Sequence, residues 1–155
     1  MKANPQKNTS QIVVVQKHFN GFRHQLEKEL NLRGISRKVY LTDNPKEALE
    51  RVPRVGPCLF ITAQGFNNNE PNGDAMGRKV RTQKNVAAKI CLLSSRGTEN
   101  EDIFDKIHDC PAGSNRLPII LSEIDEFRAE HRKKRKSILF TIISAFAPTL
   151  RLLLS

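Results

Sequence analysis

The sequence predicts an α/β fold, a five-stranded parallel sheet with helices on both faces. Two observations carry that prediction. Short, nearly continuous apolar runs such as Ile12–Val15 and Leu59–Thr62 read as strands buried on both sides. Between such runs lie stretches with apolar residues at helical spacing, as in Phe19, Phe22, Leu26 and Leu30. Strands that alternate with helices pair in parallel, because each crossover returns the chain to the same end of the sheet.

Each element has a local reason. Ile12–Val15 is the first strand, and Gly34 stops the helix after it. Val39–Leu41 is a short second strand. Asn44-Pro45-Lys46-Glu47 starts a helix, with Asn as the cap and Pro where its missing N–H has no partner to lose. Ala48, Leu49 and Val52 then face the sheet, and Pro53–Pro57 is a linker. Leu59–Thr62 is the third strand. A polar loop, Gln64–Gly73, leads to a helix over Asp74–Lys84 with Met76 and Val80 inward. Ala88–Leu93 is the fourth strand. Thr98-Glu99-Asn100-Glu101 reads as a capping box, opening a helix whose inner stripe is Ile103, Phe104 and Ile107. Leu117–Leu121 reads as the fifth strand, at an edge because Pro118 cannot donate to a ladder. Ser122-Glu123-Ile124-Asp125 reads as another capping box, with Ile124 and Phe127 inward in a last helix.

Composition narrows the function. A chain of 155 residues supports one domain with a real core. Twenty-six Lys and Arg face sixteen Asp and Glu, a formal charge of +10 that fits an anionic partner or a solvated basic face. Cys58, Cys91 and Cys110 have no metal-binding spacing, and Cys58 and Cys91, in or beside apolar strand runs, read as core thiols of a reducing cytoplasm. Residues 1–10 form a polar, flexible N-terminus without the apolar stretch of a secretory signal. His18, His24, His108 and His131 stand at no general-base or metal spacing, and Gly73–Gly77 lacks a phosphate-loop pattern. Neither an enzyme nor a cofactor is expected.

Several stretches agree with one known family. Leu92-Leu93-Ser94-Ser95-Arg96-Gly97-Thr98-Glu99 resembles the fourth strand and following loop of response-regulator receiver domains, a flavodoxin-like fold. Ala48-Leu49-Glu50 leading to Pro57–Ile61, Lys79-Val80-Arg81, and Ala112-Gly113 agree in register. The resemblance covers residues 11–130 and implies an acidic pair for Mg²⁺ after the first strand, a phosphoacceptor Asp ending the third, a hydroxyl ending the fourth and a Lys ending the fifth. Those positions fall on Gln16 and Lys17, on Ala63, on Ser94, and on Ile120 or Leu121. Only the hydroxyl is retained, so the expectation is a degenerate pseudo-receiver that takes no phosphoryl group. Its lysine-altered pocket is either an anion site or a place where Lys17 pairs with Glu70 or Asp74. The signalling surface that the family switches corresponds to Ser94–Ile107 and Leu117–Phe127.

The resemblance leaves residues 131–155 unexplained. Arg132, Lys133, Lys134, Arg135 and Lys136 form a dense basic run. An almost wholly apolar helix follows, carrying Ile138, Leu139, Phe140, Ile142, Ile143, Phe146, Leu150, Leu152 and Leu153. Thr141, Ser144, Pro148, Arg151 and Ser155 make a narrow polar stripe, and Pro148 is expected to kink or split the helix. Such a helix must be covered. Packing on a second copy is the favoured outcome; insertion into an anionic membrane and folding back on the domain are the alternatives. A second basic cluster, Arg78, Lys79, Arg81, Lys84 and Lys89, is a solvated helix face or a contact for nucleic-acid phosphates. The partner expected is a protein, self or a signalling protein, with nucleic acid or membrane as rivals.

Overall fold

Five parallel strands form the sheet: β1 (Ile12–Val15), β2 (Val39–Thr42), β3 (Leu59–Ala63), β4 (Lys89–Ser94) and β5 (Lys106–Asp109), in the order β2-β1-β3-β4-β5. The computed structural model describes residues 9–19 and 21–154, with side chains as far as Ala147. Residues 1–8, most of the expected flexible N-terminus, lie outside the described residues, as do Asn20, Ser155 and the side chains of Pro148, Leu150, Arg151, Leu152 and Leu153. The chain divides into two compact units, Met1–Leu121 and Ser122–Ser155.

In the first unit, β1 and β3 are buried along their whole length, as apolar runs without alternation require. Val15 lies opposite both Thr42 and Thr62, Ala63 opposite Leu93, and Ser94 opposite Asp109. The carboxyl ends of β1, β3 and β4 therefore meet at one edge. The strand order reverses between β1 and β3, which opens a crevice at that edge.

Helix α1 (Arg23–Leu32) buries Leu26 and Leu30. Phe19 and Phe22 are buried too, but precede the helix and meet edge to face at 5.5 Å. Gly34, at φ +67°, ends α1 by donating to the Asn31 carbonyl. Helix α2 (Pro45–Arg51) starts as expected: the Asn44 side chain accepts from the N–H groups of Lys46 and Glu47. Helix α3 (Gly73–Lys79) continues as a wider π turn, Val80–Lys84. Met76, Val80, Val13, Phe60, Ile90 and Leu92 share one fully buried cluster.

The second half of the sheet departs from expectation. The capping box at Thr98 opens only a single 3₁₀ turn, Glu101–Ile103, after which Phe104 is extended. The Thr98 hydroxyl does accept from the Asn100 N–H, but it also donates to Asp74 at 2.5 Å. Ile103 and Phe104 are buried under α3, where a Cβ on Gly77 would come within 2.9 Å of the Phe104 ring. The chain then enters β5 at Lys106, and Ile107 is exposed rather than inward. Leu117–Leu121, expected as the fifth strand, is the start of helix α4 (Leu117–Leu154). Pro118 fits the first turn of a helix better than a ladder, and the Asn115 side chain accepts from the Leu117 N–H. Ser122–Asp125 consequently lies inside α4 and caps nothing.

The second unit is the rest of α4. Ile124 and Phe127 are buried, and Phe127 stacks on His131 with ring centroids 6.4 Å apart. Every residue from Arg132 to Phe146 is exposed. The helix runs to Leu154 and is not split at Pro148, since a proline removes one backbone bond while the flanking turns keep theirs. Among the described residues, no helix is long and apolar enough to cross a membrane.

Candidate functional site

The meeting of the strand ends makes a cleft of about 470 Å³ at the carboxyl edge of the sheet. Ala63, Leu93 and Ser94 form its floor, and Lys17, His18, Arg96 and Arg116 stand around it. The register explains the floor: Ala63 and Ser94 are the last residues of β3 and β4, two neighbouring strands. Lys17 and His18 are exposed at the end of β1.

Gln16 is fully buried behind this rim. Its backbone N–H donates to Thr42, and its side-chain oxygen accepts from the Arg116 guanidinium at 2.9 Å. The Gln16 Nε2 is buried with no hydrogen-bond partner, as are Gln64 Oε1 and the Ser114 hydroxyl oxygen. Ser94 is 2% exposed, and its hydroxyl works inward: it donates to the Gly97 carbonyl and accepts from the Arg96 N–H at 3.2 Å. That pair of bonds fixes the turn that presents Arg96.

The carboxylates nearby are committed or set apart. Asp74 accepts from Gln64 Nε2 at 2.8 Å and from the Thr98 hydroxyl. Asp43 and Glu70 line a smaller adjoining cleft that shares Lys17 and His18. Lys17 forms no ion pair with Glu70 or with Asp74, so the pairing expected as one alternative is not made. Among the described residues, no group of three or more His, Cys, Asp or Glu could hold a metal ion.

Of the four positions expected at this pocket, Lys17, Ala63 and Ser94 line the cleft and Gln16 touches it only through Arg116, while Arg116, Gln64 and Ser114 line it without having been expected there. Assigning Leu117–Leu121 to a strand would put Arg116 at the opposite, amino edge of the sheet. With β5 at Lys106–Asp109, the loop that follows it carries Arg116 to the carboxyl edge. The same shift moves the end of the fifth strand from Ile120 or Leu121 to Asp109 and Cys110; no lysine stands there. Ile120 is instead buried in the first turns of α4.

The other predicted cluster is scattered. Arg81 is absorbed by the fold: its guanidinium donates to the carbonyls of Val86, Ala88 and Ile103 and to Asp105 at 2.8 Å. Arg78 donates to Asn100. Lys79 is exposed, and Lys84 and Lys89 are half-buried. All three cysteines are free and buried. Burial pushes the Cys58 thiol up to about 12, and burial also raises Cys110, against the lowering influence of Arg116, so neither is poised as a nucleophile.

No protein-family model matches the sequence, and no curated protein does. Solved structures do. The response regulator TrrA from Thermotoga maritima, in complex with Mg²⁺-BeF, is 20% identical with a TM-score of 0.52, over 77% of this chain and 99% of that one. A CheY-like receiver domain protein from Methanospirillum hungatei JF-1 is 12% identical with a TM-score of 0.57, over 81% and 98%. TrrA in complex with the histidine kinase ThkA matches with a TM-score of 0.54 at 20% identity, over 77% and 98%. This likeness is one of fold: the chain has the five-stranded parallel sheet of a CheY-like receiver.

Proposed function

We propose that this protein is a receiver-like signalling and protein-interaction module that works without aspartyl phosphorylation and associates through its C-terminal helix. The observation that carries the first half is the chemistry of the strand ends. Mg²⁺ takes hard oxygen ligands in near-octahedral geometry. Gln16 offers one neutral oxygen, already used by Arg116, while Lys17 and Arg116 bring positive charge to the place a cation would need. Ala63 has no oxygen to receive a phosphoryl group. Phosphoryl transfer relies on metal and fixed charge at the transferred group, so loss of the ligands and of the acceptor together removes the route.

TrrA, with the same fold, was captured with Mg²⁺-BeF in one structure and with a histidine kinase in another. By that analogy the domain, taken as residues 11–130, meets a protein partner, while its output no longer waits on a phosphoryl group. Its free cysteines fit a reducing cytoplasm. The test is incubation of the full chain with acetyl phosphate and Mg²⁺, followed by mass spectrometry. No acid-labile adduct is expected, and one on the loop after β3 overturns the reading.

The second half rests on exposure. Ile138, Leu139, Phe140, Ile142, Ile143 and Phe146 are each about half to three-quarters exposed on a single helix. A broad apolar face of that kind on a helix needs a cover, and the same face of a second copy offers a matching one. Light scattering on the full chain is expected to give a dimer, and on a Leu139→Ser, Ile143→Ser, Phe146→Ser variant a monomer. A monomeric full chain overturns association. The rival reading, attachment to nucleic acid or an anionic membrane, draws on the exposed cations Arg132–Lys136. Flotation with anionic vesicles that the triple variant abolishes, or a steeply salt-dependent gel shift, favours that rival.

A further inference from the structure

We propose that the cleft at the carboxyl edge of the sheet is a non-covalent site for a small phosphate monoester, held by Lys17, Arg96 and Arg116. This rests on the charge of the cleft and its unmet hydrogen bonds, and not on the phosphorylation reading above, so either can fail alone.

Three cations elsewhere in the same unit have acidic partners. Arg23 reaches Glu27 at 3.2 Å, Arg33 reaches Glu29 at 2.7 Å and Arg81 reaches Asp105 at 2.8 Å. The three around the cleft do not. The charged groups of Lys17 and Arg96 have no hydrogen-bond or ion-pair partner among the described residues, and Arg116 has the neutral Gln16 oxygen. No carboxylate is among the residues lining the cleft: Asp74 is held by Gln64 and Thr98, Asp43 and Glu70 line the adjoining cleft, and Asp109, opposite Ser94 in the ladder, is exposed. Three like charges converging on one concave surface repel one another, and an anion with two negative charges relieves all of them at once. Two of the three are guanidinium forks, whose paired N–H groups match phosphate oxygens.

The buried polar atoms point the same way. The buried hydroxyl of Ser114 lines the cleft with none of its bonds made, and Gln16, which does not itself line the cleft, accepts from Arg116. A buried donor left without an acceptor costs about 1–3 kcal/mol, and an anionic oxygen is the acceptor that removes such a cost. Gln64 Oε1 is an unmet acceptor on the same cleft and calls for a donor. A monoester whose organic part bears hydroxyl groups supplies both. The volume agrees: about 470 Å³ exceeds what a bare phosphate fills and lies in the range of small-molecule sites. Ser94 gains a part in this arrangement, because its two hydrogen bonds hold the turn on which Arg96 is presented.

The test is an amide NMR titration of the ¹⁵N-labelled full chain at low ionic strength with glycerol 3-phosphate, and in parallel with glycerol and with inorganic phosphate. Saturable shifts are expected at Gly65, Ser95, Arg96, Gly113 and Ser114, weaker affinity for inorganic phosphate, and none for glycerol. Lys17→Gln and Arg96→Gln, both surface changes, are each expected to weaken the ester by about fivefold or more while leaving the melting curve unchanged. Absence of saturable shifts, affinity in both variants unchanged from the parent, or shifts confined to Arg132–Lys136 overturns the site. Inorganic phosphate binding as tightly as the ester overturns the assignment to a monoester.

Discussion

Arg81 and Arg116 are the same residue type on the same sheet-based unit, yet they differ in what surrounds them. Arg81 spends all of its hydrogen bonds inside the fold, on three carbonyls and Asp105, and so ties the π turn after α3 to the segments entering β4 and β5. Asp105 is itself fixed, accepting from the Ile90 N–H at 2.7 Å. Arg116 has a single neutral acceptor and faces a cleft with Lys17 and Arg96. A basic cluster is therefore not one kind of feature. Cations supplied with acceptors hold structure, and cations left without them are available to a ligand.

The largest expected effect is at Arg81. Arg81→Ala leaves three carbonyls without this donor and Asp105 with only the Ile90 N–H, and is expected to destabilise by about 2–3 kcal/mol. Arg81→Lys should recover little of this, because an ammonium cannot span the same fork of acceptors. Chemical denaturation of both variants checks it, and a loss under about 0.5 kcal/mol would break the contrast. At Arg116 the expected loss is smaller, about 1 kcal/mol for Arg116→Ala, from one buried oxygen on Gln16 losing its donor. Lys17→Gln and Arg96→Gln should stay within about 0.5 kcal/mol of the parent. If Arg116→Ala proves as costly as Arg81→Ala, both arginines are structural and the contrast fails.

Alkaline pH probes the core while both arginines stay charged. The unfolded Cys58 thiol ionises near 9.0, whereas the folded one holds its proton to about 12. The unfolded state therefore loses protons first, and stability falls as pH rises from about 9 toward 12, by about 1 kcal/mol at pH 10. Tyr40 and Cys110, both raised mainly by burial, add in the same direction. Urea melts at pH 8 and pH 10 measure the slope, which should be shallower in Cys58→Ala. An unchanged slope would mean that the thiol opens to solvent in the folded state.

Legibility in the sequence followed burial. β1, β3 and β4 were readable because central parallel strands must be apolar on both faces, and α2 because Asn44 and Pro45 mark its start. β5 was not readable. Lys106-Ile107-His108-Asp109 is a short, polar edge strand, held by pairing to β4 and not by an apolar pattern of its own. By pattern alone the apolar run at Leu117–Leu121 is the better strand, and a strand there places Arg116 away from the site.

By itself the sequence determined the alternation of strands and helices, the crevice at the ends of β1 and β3, and the presence there of Gln16, Lys17 and Ala63. These follow from periodicity and residue type along the chain. Only the tertiary structure decided which segment pairs as β5, which cations keep a partner and which side chains share the cleft. Those outcomes depend on acceptors brought from distant parts of the chain, as Gln16 meets Arg116 and Arg81 meets Asp105.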